Sequence, residues 1–286
     1  MERNVSNKRR GPCGAEPPVS GAKKAIRKYE ALKRFGAKRQ NRKSAAVMNS
    51  PAVLLPQQSS EEAHLVELTM HACASAHEAV SHAIDALING PQQALTAVRK
   101  YEKQLDTMDR EMDESLVTVI THVTPPQARE FLACMKIMLD LERVGDLVLS
   151  VAERAVIVRN RIDMDDIEQL TKIGCLLENM LAAMARAFTS RNVEQAIHVL
   201  RTDSEIDRLR NLIMVRHTEN AEGLKGLESL HVLSMANALK CAGDHIKNMA
   251  EELCHLATGH TMRHVIRSKD KPIEQLFLDW LAKQSL

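Results

Sequence analysis

Hydrophobic and polar positions alternate with helical spacing over most of the chain. Leu105, Met108, Met112, Leu116 and Val119 recur every three or four residues, as do Ile137, Leu141, Val144, Val148 and Val151. Met235, Leu239, Ala242, Ile246, Met249 and Leu253 repeat the pattern. This spacing turns one stripe of each segment toward a core. Breakers cut the pattern into six segments. Glu61 to Asn89 runs into Gly90-Pro91, Gln92 to Val123 into Pro125-Pro126, and Gln127 continues to Arg161 or so. Asp163 to Phe188 stops at a polar stretch, Val193 to His217 precedes the loop with Gly223 and Gly226, and Leu227 to Thr258 ends at Gly259. Segments of roughly 25–35 residues are long for ordinary globular helices and typical of bundles.

The chain also repeats itself. Leu141-Glu-Arg-Val-Gly-Asp146 matches Leu239-Lys-Cys-Ala-Gly-Asp244 at the Leu, Gly and Asp, and Ala152-Glu153 matches Ala250-Glu251. One helix earlier, Asp109-Arg-Glu-Met-Asp113 matches Asp203-Ser-Glu-Ile-Asp207. Six helices in two similar halves predict an all-α fold, a tandem pair of three-helix bundles. The first repeat is expected over 59–160 and the second over 161–265. A basic extension and linker would occupy 1–58, and a tail 266–286, where Pro272, Leu276, Phe277, Trp280 and Leu281 predict a short helix.

Composition narrows the function. With 4 Phe, 2 Tyr and 1 Trp the chain is poor in the aromatics that base-stacking modules need. Only 11 Gly and 9 Pro argue against a many-stranded β fold. No apolar run reaches the roughly 18 residues of a membrane span, and no apolar stretch follows the basic N-terminus as in a signal peptide, so a soluble cytoplasmic protein is expected. The six cysteines, Cys13, Cys73, Cys134, Cys175, Cys241 and Cys254, never form CxxC and are expected as buried free thiols. The 14 Met are expected as core filler.

Charge is split unevenly. Residues 1–47 hold fourteen Lys and Arg against three Glu, leaving 25 basic and 34 acidic residues for the rest. The basic arm has three open readings: an anion-binding tail, a disordered extension, or sequence upstream of a true start at Met48.

The acidic body carries the candidate chemistry. Asp109 and Asp113 are four apart on one face, with Glu102 and Asp106 extending the ridge, and Glu142 and Asp146 are four apart on the next helix. If the two helices pack side by side, four carboxylates approach one seam, where like charges repel unless protons or cations neutralise them. Oxygen-only clusters suit hard cations such as magnesium, manganese or iron; the competing reading is a solvated acidic face. Most of the twelve His are expected at the surface, and His245 is expected to make a structural hydrogen bond. The interior glycines Gly145 and Gly243 either permit close helix approach or are merely tolerated.

The paired motifs resemble those of the PhoU family of phosphate-uptake regulators. In the first half the resemblance rests on Leu141 to Asp146 with Ala152-Glu153-Arg154. In the second it rests on Asp203 to Asp207, Gly243-Asp244-His245, Asn248, Ala250-Glu251-Glu252, Thr258-Gly259 and Arg263-His264-Val265. It covers residues 60–265 or so, without the arm or the tail. It implies two three-helix bundles in a cytoplasmic, often dimeric regulator that restrains phosphate-starvation signalling by linking a phosphate ABC-transporter ATPase to a sensor histidine kinase. It implies no enzymatic activity and contact with the membrane through partners only; the scarce aromatics and the acidic body argue against a specific nucleic-acid partner. It also implies multinuclear iron, zinc or other metal on acidic motifs. These map to Asp109, Asp113, Glu142 and Asp146 in the first repeat and to Asp203, Asp207 and Asp244 in the second. Lys240 stands where the family pattern has Glu, and Cys241 where it has Arg, so metal is expected to be stronger at the first repeat. The alternative class is a carboxylate-bridged metal oxidase or phosphatase. Against it stand the missing Glu-x-x-His motif and the lack of a nucleophile beside a base.

Overall fold

A computed structural model describes residues 60–90, 92–158, 161–219 and 226–259; the basic arm and the tail from Pro272 lie outside the described residues. The described residues form six long helices and no strand: α1 (Ser60–Asn89), α2 (Gln92–Val119), α3 (Pro125–Ile157), α4 (Met164–Ser190), α5 (Val193–Glu219) and α6 (Gly226–Thr258). A 3-10 turn, Ile120–His122, follows α2.

Local chemistry sets most boundaries. Gly90 takes φ 61° just past α1 and donates its N–H to the Ala86 carbonyl, a left-handed cap that glycine adopts without Cβ strain. Pro125 and Pro126 fall at the expected break between two helices, not as the linker itself but as the first two residues of α3. Proline has no N–H to lose in a first turn, and its fixed φ suits that position. Thr124 caps the turn, its backbone N–H bonded to Gln127 Oε1 at 3.0 Å.

Each of α1, α2 and α3 packs against the other two, and α4, α5 and α6 do the same, so the fold is a tandem pair of three-helix bundles. The bundles meet through α1 against α4 and α3 against α6. Lys136 pairs with Glu252 and Asp140 with His245, so α3 and α6 run antiparallel. The apolar stripes of α3 and α6 are wholly buried, from Ile137 to Val151 and from Met235 to Leu253. Of the expected stripe on α2, Leu105, Met112 and Leu116 are buried, while Met108 and Val119 sit at the edge. Met112, Met138, Met180, Met184, Met235 and Met249 fill the core as expected. The described cysteines divide: Cys73, Cys134 and Cys254 are buried, but Cys175 is half-buried and Cys241 exposed, while Cys13 lies outside the described residues. Burial pushes the Cys73, Cys134 and Cys254 thiols up to about 12, which leaves them as thiols at neutral pH.

Candidate functional site

Two seams on the outer flanks of the bundles hold the acidic motifs. In the first, α2 carries Glu102, Asp106, Asp109 and Asp113, and α3 carries Glu142, Asp146 and Glu153. The helices approach closely at Gly145, where a Cβ would stand 2.7 Å from Leu105 Cδ1 and 3.8 Å from the Glu102 Cα. That packing sets the two rows of carboxylates side by side. Glu142 and Asp109 are half-buried and Asp113 and Asp146 exposed, so the four line an outer face and not a bundle interior.

The face is short of positive charge. Arg143 stands 3.4 Å from both Glu142 and Asp146 but is largely solvated, and Arg110 pairs with Asp106 at 2.7 Å. Burial, with the charges of Asp113 and Asp106, raises the Asp109 pKa. Burial and the Asp146 charge raise that of Glu142. Glu102 is raised by burial and then by Asp106, Asp146 and Glu153. These carboxylates therefore resist ionisation where they stand.

The second seam has the same skeleton and a different solution. Lys240, on α6 at the position of Glu142, places Nζ 3.1 Å from Asp203, 3.3 Å from Asp207 and 2.5 Å from Asp244. Lys247 reaches the other Asp203 oxygen at 2.8 Å. Burial alone would raise the Asp203 carboxyl, but hydrogen bonds from Lys247 and Lys240 outweigh it and hold it below its ordinary value. Burial likewise opposes the Lys240 ammonium, and its bonds to Asp244 and Asp203 reverse the sign and raise its pKa.

The donors of the first seam are all oxygen, which suits a hard cation. Their arrangement is open: among the described residues no three His, Cys, Asp or Glu side chains gather closely enough to hold one metal ion. The second seam does not fit a metal as it stands, because an ammonium occupies the space between its carboxylates.

Two features escaped the sequence reading. Lys247 lies seven residues after Lys240, and that spacing put both lysines on one face of α6; that the face meets Asp203 was not legible in it. His217 is buried and not at the surface: its Nε2 lies 3.1 Å from Asp166 Oδ1. The signal was its place on the stripe Ile206, Leu209, Ile213, His217, which is buried throughout. His245 makes the structural bond expected of it, to Asp140 across the two bundles at 2.7 Å.

The described residues thus form a repeated all-helical bundle with acidic motifs along two outer seams. The PhoU domain matches twice, over residues 69–155 and 170–253, and the chain belongs to the PhoU family. It is 28% identical over 196 residues to the phosphate-specific transport system accessory protein PhoU homolog of Zymomonas mobilis, covering 67% of this chain and 83% of that protein. The homolog of Pseudomonas aeruginosa is 27% identical over 65% of this chain and 79% of its own length. The crystal structure of PhoU from Pseudomonas aeruginosa has the same fold, with a TM-score of 0.63 at 22% identity over 70% of this chain and 99% of that one. The PhoU structure from Streptococcus pneumoniae gives 0.64 at 20% identity, over 70% and 97%.

Proposed function

We propose that this chain is a regulatory adaptor in phosphate homeostasis. It restrains phosphate uptake and phosphate-starvation signalling by linking a phosphate ABC-transporter ATPase to a sensor histidine kinase. The observation that carries the reading is the match of both repeats to the PhoU domain, supported by relatives named as phosphate-specific transport system accessory proteins. The role needs surface and not turnover. The α2–α3 seam offers a negative face to a basic partner, and beside it Leu132 and Leu139, seven apart on α3, are exposed apolar side chains of the kind interfaces bury. In this reading the protein works in the cytoplasm as a homodimer, meets the membrane only through its partners, and holds any hard cation at the first seam. A deletion strain tests the role: starvation genes should stay on in rich phosphate and switch off when the chain is restored. Normal repression and normal uptake in the deletion strain would refute it.

A further inference from the structure

We propose that the second repeat carries its cation as a side chain. Lys240 holds the position between the carboxylates of α5 and α6 that an external divalent cation would need, so that repeat is indifferent to metal supply. The inference stands on geometry and does not depend on the regulatory role.

Four carboxylates of the first seam correspond to three carboxylates and one lysine of the second. The exchange of Glu142 for Lys240 changes the formal charge of the set from −4 to −2. The ammonium has three N–H donors, and three carboxylates stand within 3.3 Å of it. Its side chain is 18% exposed and that of Asp203 is 8% exposed, so the pair is shielded from competing water. Lys247 takes the second Asp203 oxygen, so the most buried carboxylate of the set already has a lysine on each oxygen. A divalent cation entering here would have to expel an ammonium tethered to α6. It would then sit beside two lysines, with like-charge repulsion in a place of reduced solvent screening. The first seam has no such competitor, because Arg143 occupies a different, solvated position at its rim. Lys240 and Lys247 also tie α6 to Asp203 of α5, which is the mechanical work a bridging cation would do.

The test uses the full chain with Asp109→Asn and Glu142→Gln, which weaken the first seam, and Mn2+ as the probe. Calorimetric titration and thermal unfolding are followed with and without a chelator. In this background no Mn2+ uptake is expected, and the melting temperature should be the same in chelator and in Mn2+. Adding Lys240→Glu should create uptake of Mn2+ blocked by Asp203→Asn, with affinity increased by about tenfold or more, and make melting depend on the metal. Lys240→Gln should lower the melting temperature and gain less Mn2+ affinity than Lys240→Glu, because it frees the carboxylates without adding a fourth. Two results would overturn the proposal: Mn2+ binding by the Lys240 background that Asp203→Asn abolishes, or a Lys240→Gln protein that melts like its parent. Both remain measurable if Lys240→Glu fails to fold.

Discussion

His217 and Asp166 form a buried pair, Nε2 to Oδ1 at 3.1 Å with both side chains 2% exposed, that joins the end of α5 to the first turn of α4. The other ring nitrogen, Nδ1, is buried without a hydrogen-bond partner, so the pair is the anchor of that imidazole. Arg216 adds a contact to the same Asp166 oxygen at 3.6 Å and reaches Asp163 at 2.7 Å. Replacing Asp166 by Ala leaves a buried imidazole with neither nitrogen bonded. The expected cost is about 1–3 kcal/mol, read from the midpoint of urea unfolding. Asp166→Asn keeps an acceptor oxygen and should cost less. Equal losses for the two variants would show that the hydrogen bond contributes nothing.

The pH dependence of the two seams should have opposite signs. Glu142 has a folded pKa above its ordinary 4.5, so its ionisation opposes folding above the folded value, and that penalty disappears as pH falls below 4.5. Asp203 has a folded pKa below its ordinary 3.8, so it supports folding above 3.8 and loses that support as pH drops through the folded value. Glu142→Gln should therefore raise the unfolding midpoint at neutral pH, in chelator, and the gain should fade below 4.5. Asp203→Asn should lower the neutral-pH midpoint, with the loss shrinking only in stronger acid. A stabilisation by Glu142→Gln that does not change with pH would contradict the assigned cause.

Hard-cation affinity increases with the number of anionic oxygens that reach the ion. At the first seam, small side-chain rotations would have to bring Asp109, Asp113, Glu142 and Asp146 together. Titration of the parent chain with Mn2+ is expected to show uptake that Glu142→Ala weakens and Asp109→Asn weakens further. Uptake unchanged in both variants would place the cation elsewhere.

Gly145 controls the approach of α2 to α3. A Cβ there meets Leu105 Cδ1 at 2.7 Å, which the leucine can relieve by changing rotamer, so Gly145→Ala should be mild. Gly145→Val adds two branches against the same neighbours and should destabilise by about 1–3 kcal/mol through overpacking. It should also spread the carboxylate rows and bring the Glu142 pKa back toward 4.5, observable by carbon-detected NMR titration. A valine variant as stable as the parent would show that the seam is looser than the contact indicates.

The sequence by itself determined the six helices and their pairing into two repeats. Long amphipathic periods punctuated by Gly90-Pro91 and by Gly223 and Gly226 are local signals, and the matched motifs Leu141 to Asp146 and Leu239 to Asp244 are visible without coordinates. It also located the carboxylates, because residues four apart share a helix face whatever the helix packs against. Tertiary structure decided what those carboxylates meet. Whether Asp203 faces a lysine, a water or a metal depends on the register of α5 against α6, and what His217 bonds to depends on where the first turn of α4 lies. Those are contacts between residues 37 and 51 positions apart, set by packing of the apolar stripes and not by spacing along one helix. Pro125-Pro126 shows the same limit locally: the pair can stop a helix or start one, and only the cap at Thr124 selects the start.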